Sequence, residues 1–449
     1  MIDQLLRNLS SSTQQEVEDA IIALGDSGET KAVAPLVRSL NRFDQNPTLK
    51  ALVCDALGEL GDLRATQALL SQLRDPHPEV SESAFTALFT IGERRANAMP
   101  SAETWANGFA EPTEALTQIA WQTDHEAVQL LLKALREQDT QVKIGALYTL
   151  GQLGFVGALS QISALLADPH DEVGAAAAYS LGELARLGSS QTVITVCQIL
   201  HQAWQAYPLG LETRIQVLRA AAECHSEEPD IQNGLAEIFV SSLSHNENVI
   251  RQLAVIGLGR LGDDRALPWL EPCLQDEVTG VRRNTTYAIG ALSTQKAPDI
   301  LVRNASEQPS EVRVAMSEVL QKAPREKSLS ALYQALNSSD VRHRAVSVFL
   351  LGGLKDKKGL LKGLQDEAST VRKSSALAVG SAGLTSLSPT LTSLLSDSEW
   401  RVRAAVAEGL KRLRDSKVLP ALESHYKSES HPVVMSALES AIASLSQPI

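Results

Sequence analysis

The chain has 449 residues, of which 44% are hydrophobic, 21% are charged and only 4% are aromatic. A β-sandwich core needs more aromatic and β-branched residues, so this composition favours helices that pack through small side chains. The net charge of −12 argues against general nucleic-acid binding, which requires a basic footprint. We therefore predict an all-α protein that does not bind nucleic acid.

The negative charge is concentrated in one half of the chain. Residues 1–225 carry 15 Lys+Arg against 27 Asp+Glu, whereas residues 226–449 carry 26 of each. This asymmetry divides the chain into an acidic N-terminal section and a charge-balanced C-terminal section, which could contact different partners.

Targeting and cysteine signals are both weak. The first residues lack a basic region followed by an apolar run, and no stretch approaches the length of a membrane-spanning helix. The four cysteines form no C-x-x-C pair, and no spacing of histidines predicts a metal site. We expect a cytoplasmic protein with reduced cysteines, no metal and no membrane insertion.

One phrase recurs along the chain, as ALGELGD at 56–62, TLGQLG at 149–154, SLGELARLG at 180–188 and GLGRLGD at 257–263. Each copy follows an apolar anchor that opens a helix, and most anchors are 29 to 32 residues apart. The anchors are Val17, Leu49, Val80, about 111, Val142, Val173, about 213, Ile250, Val281, Val312, Val341, Val371, Val402 and Val433. A repeat of this length predicts stacked helical units.

Each unit reads as helix, turn, helix. Glycine recurs nine residues after the anchor, as in Gly58 and Gly380, where it predicts close approach by a neighbouring helix. A second glycine three residues later, as in Gly61 and Gly383, predicts the helix end. Because one such pair cannot bury both its faces, about fourteen of them should stack into a single solenoid over residues 1–449.

The acidic turn, the Val-Arg start of the second helix and the closing A-L-G-x-L-G-D resemble the HEAT-repeat family. The short, glycine-rich form resembles the repeats of phycobiliprotein bilin lyases. The resemblance implies an α-solenoid superhelix that binds one or more proteins along a concave face lined by second helices. We predict a non-catalytic scaffold or assembly factor without a cofactor. The alternative is a bilin lyase or chaperone-like subunit, whose tetrapyrrole groove could use Tyr148, Tyr179, Tyr287 and the later basic residues.

Two stretches depart from the repeat. Residues 92–116 keep the period but lose the clean helix pattern and contain Trp105 and Phe109. Residues 200–214 lengthen their unit and place Trp204 beside a turn at Tyr207. Trp204 and Tyr207 are either an exposed binding hot spot or aromatic residues that pack over the longer turn.

A ladder of charges follows the anchors of the later repeats. An acidic residue lies five residues before the anchor and a basic residue lies one residue after it, and the HEAT resemblance implies that these charges pair between successive repeats. The members are Asp276 and Arg282, Glu307 and Arg313, Asp366 and Arg372, and Asp397 and Arg403. Asp75 and Asp168 occupy the acidic position without a basic residue after their anchors, and are expected to be free carboxylates.

Further cations lie outside this pattern and are candidates for partner binding. They are Arg283, Arg344, Lys373 and Arg401. Arg283 and Lys373 share one offset, two residues after the anchor, and Tyr287 follows Arg283 by one helical turn. We predict that these side chains contact an acidic partner. A solvated helix face would give the same pattern.

Overall fold

The computed structural model describes residues 2–98, 115–292 and 295–446, which contain 26 α-helices and no β-strand. The N-terminal helices are α1 (Ile2–Asn8), α2 (Gln14–Asp26), α3 (Val33–Arg42), α4 (Pro47–Leu60), α5 (Thr66–Gln72), α6 (Pro78–Ala98), α7 (Ala115–Ala134), α8 (Thr140–Gln152), α9 (Leu159–Ala164), α10 (Asp171–Leu187), α11 (Ser190–Ala206), α12 (Leu211–Glu223) and α13 (Pro229–Ser242). The others are α14 (Asn248–Leu261), α15 (Leu267–Cys273), α16 (Thr279–Ala291), α17 (Ala297–Asn304), α18 (Ser310–Lys322), α19 (Arg325–Leu336), α20 (Val341–Gly353), α21 (Lys357–Leu364), α22 (Ser369–Ala382), α23 (Ser388–Ser393), α24 (Trp400–Leu413), α25 (Leu419–Ser428) and α26 (Pro432–Ser446). The predicted all-α solenoid is confirmed.

The helices alternate between two roles. Odd-numbered helices are the first helices of the repeats, and even-numbered helices, which contain the predicted anchors, are the second helices. The anchor expected near residue 111 lies outside the described residues, as do Trp105 and Phe109. Helix α6 packs directly against α8.

Second helices form the core by stacking on the next second helix, as α4 does on α6, α10 on α12 and α22 on α24. The anchors from Val17 to Val312 that the structure describes are buried, as are Val371 and Val402. Val341 is only half-buried and Val433 is exposed, so both of these assignments were wrong. In α26 the buried valine is Val434, one position later.

Turn carboxylates and amides set where the second helices begin. The Asn46 side chain accepts a hydrogen bond from the Leu49 amide at 3.1 Å, and Asp139 accepts from the amides of Gln141 and Val142. These bonds satisfy backbone donors that the first turn of a helix leaves free. In α4 and α8 the polar residue before the helix is therefore a helix cap.

The two predicted glycine roles are confirmed. A Cβ added to Gly380 would lie 2.7 Å from the Gly409 Cα of the next second helix, which is closer than side chains can pack. At the helix ends, Gly61 and Gly383 have φ values of 66° and 68°, in the left-handed region that glycine tolerates without strain. Close stacking and sharp helix ends therefore depend on different glycines.

The chain divides into two compact units, residues 1–257 and 258–449, called the N-terminal and C-terminal units below. The boundary lies within α14. Each unit is a stack of helix pairs with its own buried contacts.

Candidate functional site

The charge ladder joins several repeats to the repeat that follows. In the C-terminal unit, the Arg372 guanidinium donates to both carboxylate oxygens of Asp397 at 2.7 and 2.9 Å. Arg403 makes the same paired contact with Glu429, at the same two distances. Each arginine also donates to backbone carbonyls of the turn before its own helix, such as Asp366 O for Arg372. The ladder cation therefore connects its own turn to the carboxylate of the next repeat.

This direction of pairing overturns one expectation about the acidic half. Asp75 is bound by Lys50 and Asp168 is bound by Lys143, which belong to the preceding second helices. The cation lies in the preceding repeat, whereas Ser81 and Gly174 follow the anchors of the repeats that contain these acids. Asp75 and Asp168 are consequently buried structural partners and not free carboxylates.

Arg344 was also misassigned. It is 7% exposed and donates to Asp366 at 2.9 Å and to the carbonyls of Ser338 and Ser339. These are the contacts of a ladder cation. The error arose because Val341 was taken as the anchor, which set the register of α20 two residues too early.

Two predicted ladder arginines bind the backbone carbonyls of their own turn but no carboxylate of the next repeat. Arg282 donates to the carbonyls of Asp276 and Glu277 and to the Thr279 hydroxyl. Arg313 donates to the carbonyls of Ala305 and Ser306. Neither guanidinium contacts a carboxylate within the described residues, so the expected ion pair between successive repeats is wrong for these two arginines.

We call an ion pair between a ladder cation and the carboxylate of the next repeat a complete rung. In the complete rungs, the arginine lowers the pKa of its carboxylate partner. Hydrogen bonds from Arg403 lower the pKa of Glu429 to about 2 against the opposing effect of burial. Hydrogen bonds from Arg372 likewise lower the pKa of Asp397. By contrast, burial lowers the pKa of the Arg313 guanidinium, because no carboxylate offsets its desolvation.

Arg283 and Tyr287 lie together on the exposed side of α16. The Arg283 guanidinium pairs with Glu311 at 2.8 Å, and the Tyr287 hydroxyl donates to Glu318 at 2.9 Å. Both acids belong to α18. These exposed contacts contribute little to stability, and they leave both side chains accessible to a partner.

The same positions recur on the next second helices. Counting from the ladder cation, residues one and five positions later are exposed or half-buried and form what we call the exposed stripe. In chain order it comprises Arg283, Tyr287, Val314, Glu318, Ala345, Phe349, Lys373 and Leu377. Tyr287, Val314 and Phe349 are 41 to 48% exposed, an unusual amount for large apolar side chains on three successive second helices. Sequence reasoning missed Phe349, which shares the offset of Tyr287 once α20 is in its true register.

A cavity of about 640 Å³ lies beside this stripe, between α18, α20, α22 and α24. Three arginines line it, Arg313, Arg342 and Arg412. Val346, Phe349 and Leu377 supply apolar surface, and serine and threonine hydroxyls complete the lining. The sequence does not indicate this cavity, because its lining residues come from four repeats that are separated along the chain.

The remaining candidates are placed separately. Lys373 is exposed on α22, and the Arg401 guanidinium lies 4.5 Å from the centre of the Trp400 ring. Trp204 donates to the Ser241 hydroxyl at 2.9 Å and packs under Arg214, which matches the packing interpretation. Tyr207, in contrast, is exposed just after α11.

Tyr148 and Tyr179 are neighbours in the N-terminal unit. Their ring centres are 4.8 Å apart, and Phe85 contacts Tyr148 edge-on. The Tyr179 hydroxyl accepts a hydrogen bond from Gln152. This cluster packs α6, α8 and α10 together.

Residues 2–98, 115–292 and 295–446 contain no group of three or more histidine, cysteine or carboxylate side chains placed to hold a metal ion. Their helices also include none with the length and apolar character needed to cross a membrane.

Comparison with known proteins identifies the repeat. Residues 2–89, 113–207, 236–321 and 357–443 match the sequence profile of HEAT repeats. No curated protein matches the chain. Among solved structures, importin beta in an ammonium sulfate condition is 13% identical with a TM-score of 0.52, and the Kap95:Nup1 complex is 12% identical with a TM-score of 0.53. Kap121p bound to RanGTP is 14% identical with a TM-score of 0.51.

The alignments with importin beta and Kap95 cover 99% of this chain and 61% of each of those chains. The alignment with Kap121p covers 98% of this chain and 48% of that chain. The chain thus spans less than two thirds of these proteins, and at such low identity the likeness establishes the fold alone.

Proposed function

Since the chain belongs to the HEAT-repeat family, we propose that it is a non-catalytic scaffold or assembly factor of the cytoplasm that binds a partner protein along its second helices. The exposed stripe carries this proposal. It presents Tyr287, Val314 and Phe349 on three successive second helices, beside charged residues that would form the polar rim of an interface.

The solved relatives lend support to this class of function. The Kap95 structure is a complex with Nup1, and the Kap121p structure has RanGTP bound. The same fold therefore serves binding in those proteins. In this chain the net charge of −12 favours a protein partner over a nucleic acid.

We expect the double substitution Tyr287→Ser with Phe349→Ser to remove specific partners from a pull-down with native extract, measured by quantitative mass spectrometry. Buried aromatic anchors often contribute about 2 kcal/mol or more to an interface, so losing two should lower capture strongly. Trp269→Ser is the matched control, because Trp269 is 43% exposed but belongs to the first helix α15.

The control should retain the partners, and circular dichroism should show equal helix content in all variants. Capture that the double substitution leaves unchanged, or that Trp269→Ser reduces equally, would contradict binding along the second helices.

A second proposal is that the chain handles a linear tetrapyrrole and its client, as a bilin lyase or chaperone-like subunit. The cavity favours it, because arginines could bind propionate groups while Phe349 and Leu377 contact the pyrrole rings. Co-expression with a bilin and an apo-phycobiliprotein should then give zinc-enhanced fluorescence on the client protein. Absence of covalent colour would leave the scaffold as the function.

A further inference from the structure

The ladder lacks an acid at one position. In the complete rungs, the carboxylate lies 22 to 26 residues after the cation, as in Arg344 with Asp366 and Arg403 with Glu429. The corresponding residues after Arg313 are 335–339, with the sequence ALNSS, which contains no carboxylate. Asp340, the next acid, instead caps α20 and lies near His343. Arg313 is therefore a half-buried cation whose charge no described carboxylate contacts.

Arg313 lines the cavity between α18, α20, α22 and α24. Arg342 also lines it, is exposed, and makes no ion pair with the described residues. The third cation, Arg412, pairs with Glu408 on its own helix at 2.9 Å and donates to the Ser381 hydroxyl at 3.0 Å. No aspartate or glutamate of the described chain is among the lining residues. The cavity consequently has an uncompensated positive charge.

Part of the cavity lining is apolar. Val346, Phe349 and Leu377 line it, and Phe349 is 42% exposed. A free phosphate or sulfate would leave this apolar surface in water, which is unfavourable. The lining therefore suits a ligand that carries negative charge and apolar groups side by side.

We propose that this cavity binds a short acidic segment of a partner protein. Carboxylate side chains of the segment would pair with Arg313, Arg342 and Arg412, and an adjacent apolar side chain would pack on Phe349 and Leu377. The proposal rests on the proposed function and specifies the chemistry of the partner. Charge-assisted bonds to arginine provide orientation, and burial of the apolar side chain provides affinity.

The test selects peptides from a random library displayed on phage, with the full chain as bait. Recovered peptides are synthesised with a fluorescein label and titrated by fluorescence anisotropy. We expect sequences in which aspartate or glutamate lies next to large apolar residues. Their affinity should fall about ten-fold or more for the double variant Arg342→Glu with Arg412→Glu, and should weaken as salt rises.

Arg303→Glu is the matched control, because Arg303 is an exposed arginine of the same unit that pairs with Glu271 on a first helix. It should leave peptide affinity unchanged, while Phe349→Ser should lower it. Peptides without acidic residues, peptides that bind the double variant as tightly as wild type, or a library that yields no binder would overturn the proposal. So would a single-stranded DNA oligonucleotide that binds more tightly than the peptides and depends on the same arginines.

The two proposals fail in different ways. Peptides that are lost with Tyr287→Ser but not with the double arginine variant would place binding on the exposed stripe outside the cavity. That result would retain the proposed function and reject the cavity as its acidic-segment site. Loss of partner capture is measured independently in the pull-down.

Discussion

Replacing Gly380 with valine is expected to lower the free energy of unfolding of the C-terminal unit by roughly 3 kcal/mol, at the upper end of typical overpacking costs. The added Cβ would lie 2.7 Å from the Gly409 Cα and from its carbonyl oxygen, so the contact is with backbone that cannot rotate away. Helices α22 and α24 would have to separate. Urea unfolding followed by circular dichroism measures the loss.

The smaller change Gly380→Ala gives a test of sign. In an open helix, alanine is favoured over glycine by about 1 kcal/mol. Here the same Cβ meets the Gly409 backbone, so we expect alanine to destabilise the protein instead. Hydrogen exchange should also quicken in α24 and α26, because each repeat depends on its neighbour for burial.

Gly383→Ala is the control for the conformational effect. Gly383 has a φ of 68° and no atom within 4 Å of an added Cβ, so alanine there should cost only about 1 to 2 kcal/mol from backbone strain. Stabilisation by Gly380→Ala would contradict the close approach of α22 and α24.

The second large effect concerns the last ladder pair. Glu429→Gln should lower the free energy of unfolding by about 3 kcal/mol at pH 7, because it leaves the half-buried Arg403 without its carboxylate. Glu408→Gln is the control. It removes an exposed ion pair with Arg412, and such pairs contribute about 1 kcal/mol or less.

The pH dependence of the same variant is specific to this rung. The folded-state pKa of Glu429 is about 2, against an ordinary value of 4.5. A lowered pKa means that the stabilisation is complete above about 4.5 and is lost as the pH falls towards 2. The stability difference between wild type and Glu429→Gln should therefore shrink over that interval. A difference that stays constant from pH 7 to pH 2.5 would show that the lost energy is packing and not charge.

Paired charges across repeats could be only partly inferred from sequence. The acid and the cation recur at constant offsets, which correctly indicated a ladder. Spacing alone did not show that Arg372 pairs forward with Asp397 while its own turn offers only carbonyl groups. The same missing information led to Asp75 being taken as free, although Lys50 binds it from the preceding repeat.

The helical repeat, its length and the roles of Gly61 and Gly380 were predictable from the sequence, because these depend on local periodicity and on backbone conformation within one or two turns. Which side chains meet across repeats depends instead on how the helices pack. Three different repeats contribute Arg313, Arg342, Phe349 and Arg412. These residues line one cavity only because successive second helices stack side by side. Contacts of this kind depend on helix rotation and register, and a two-residue shift in α20 was enough to turn a buried ladder arginine into an apparent surface cation.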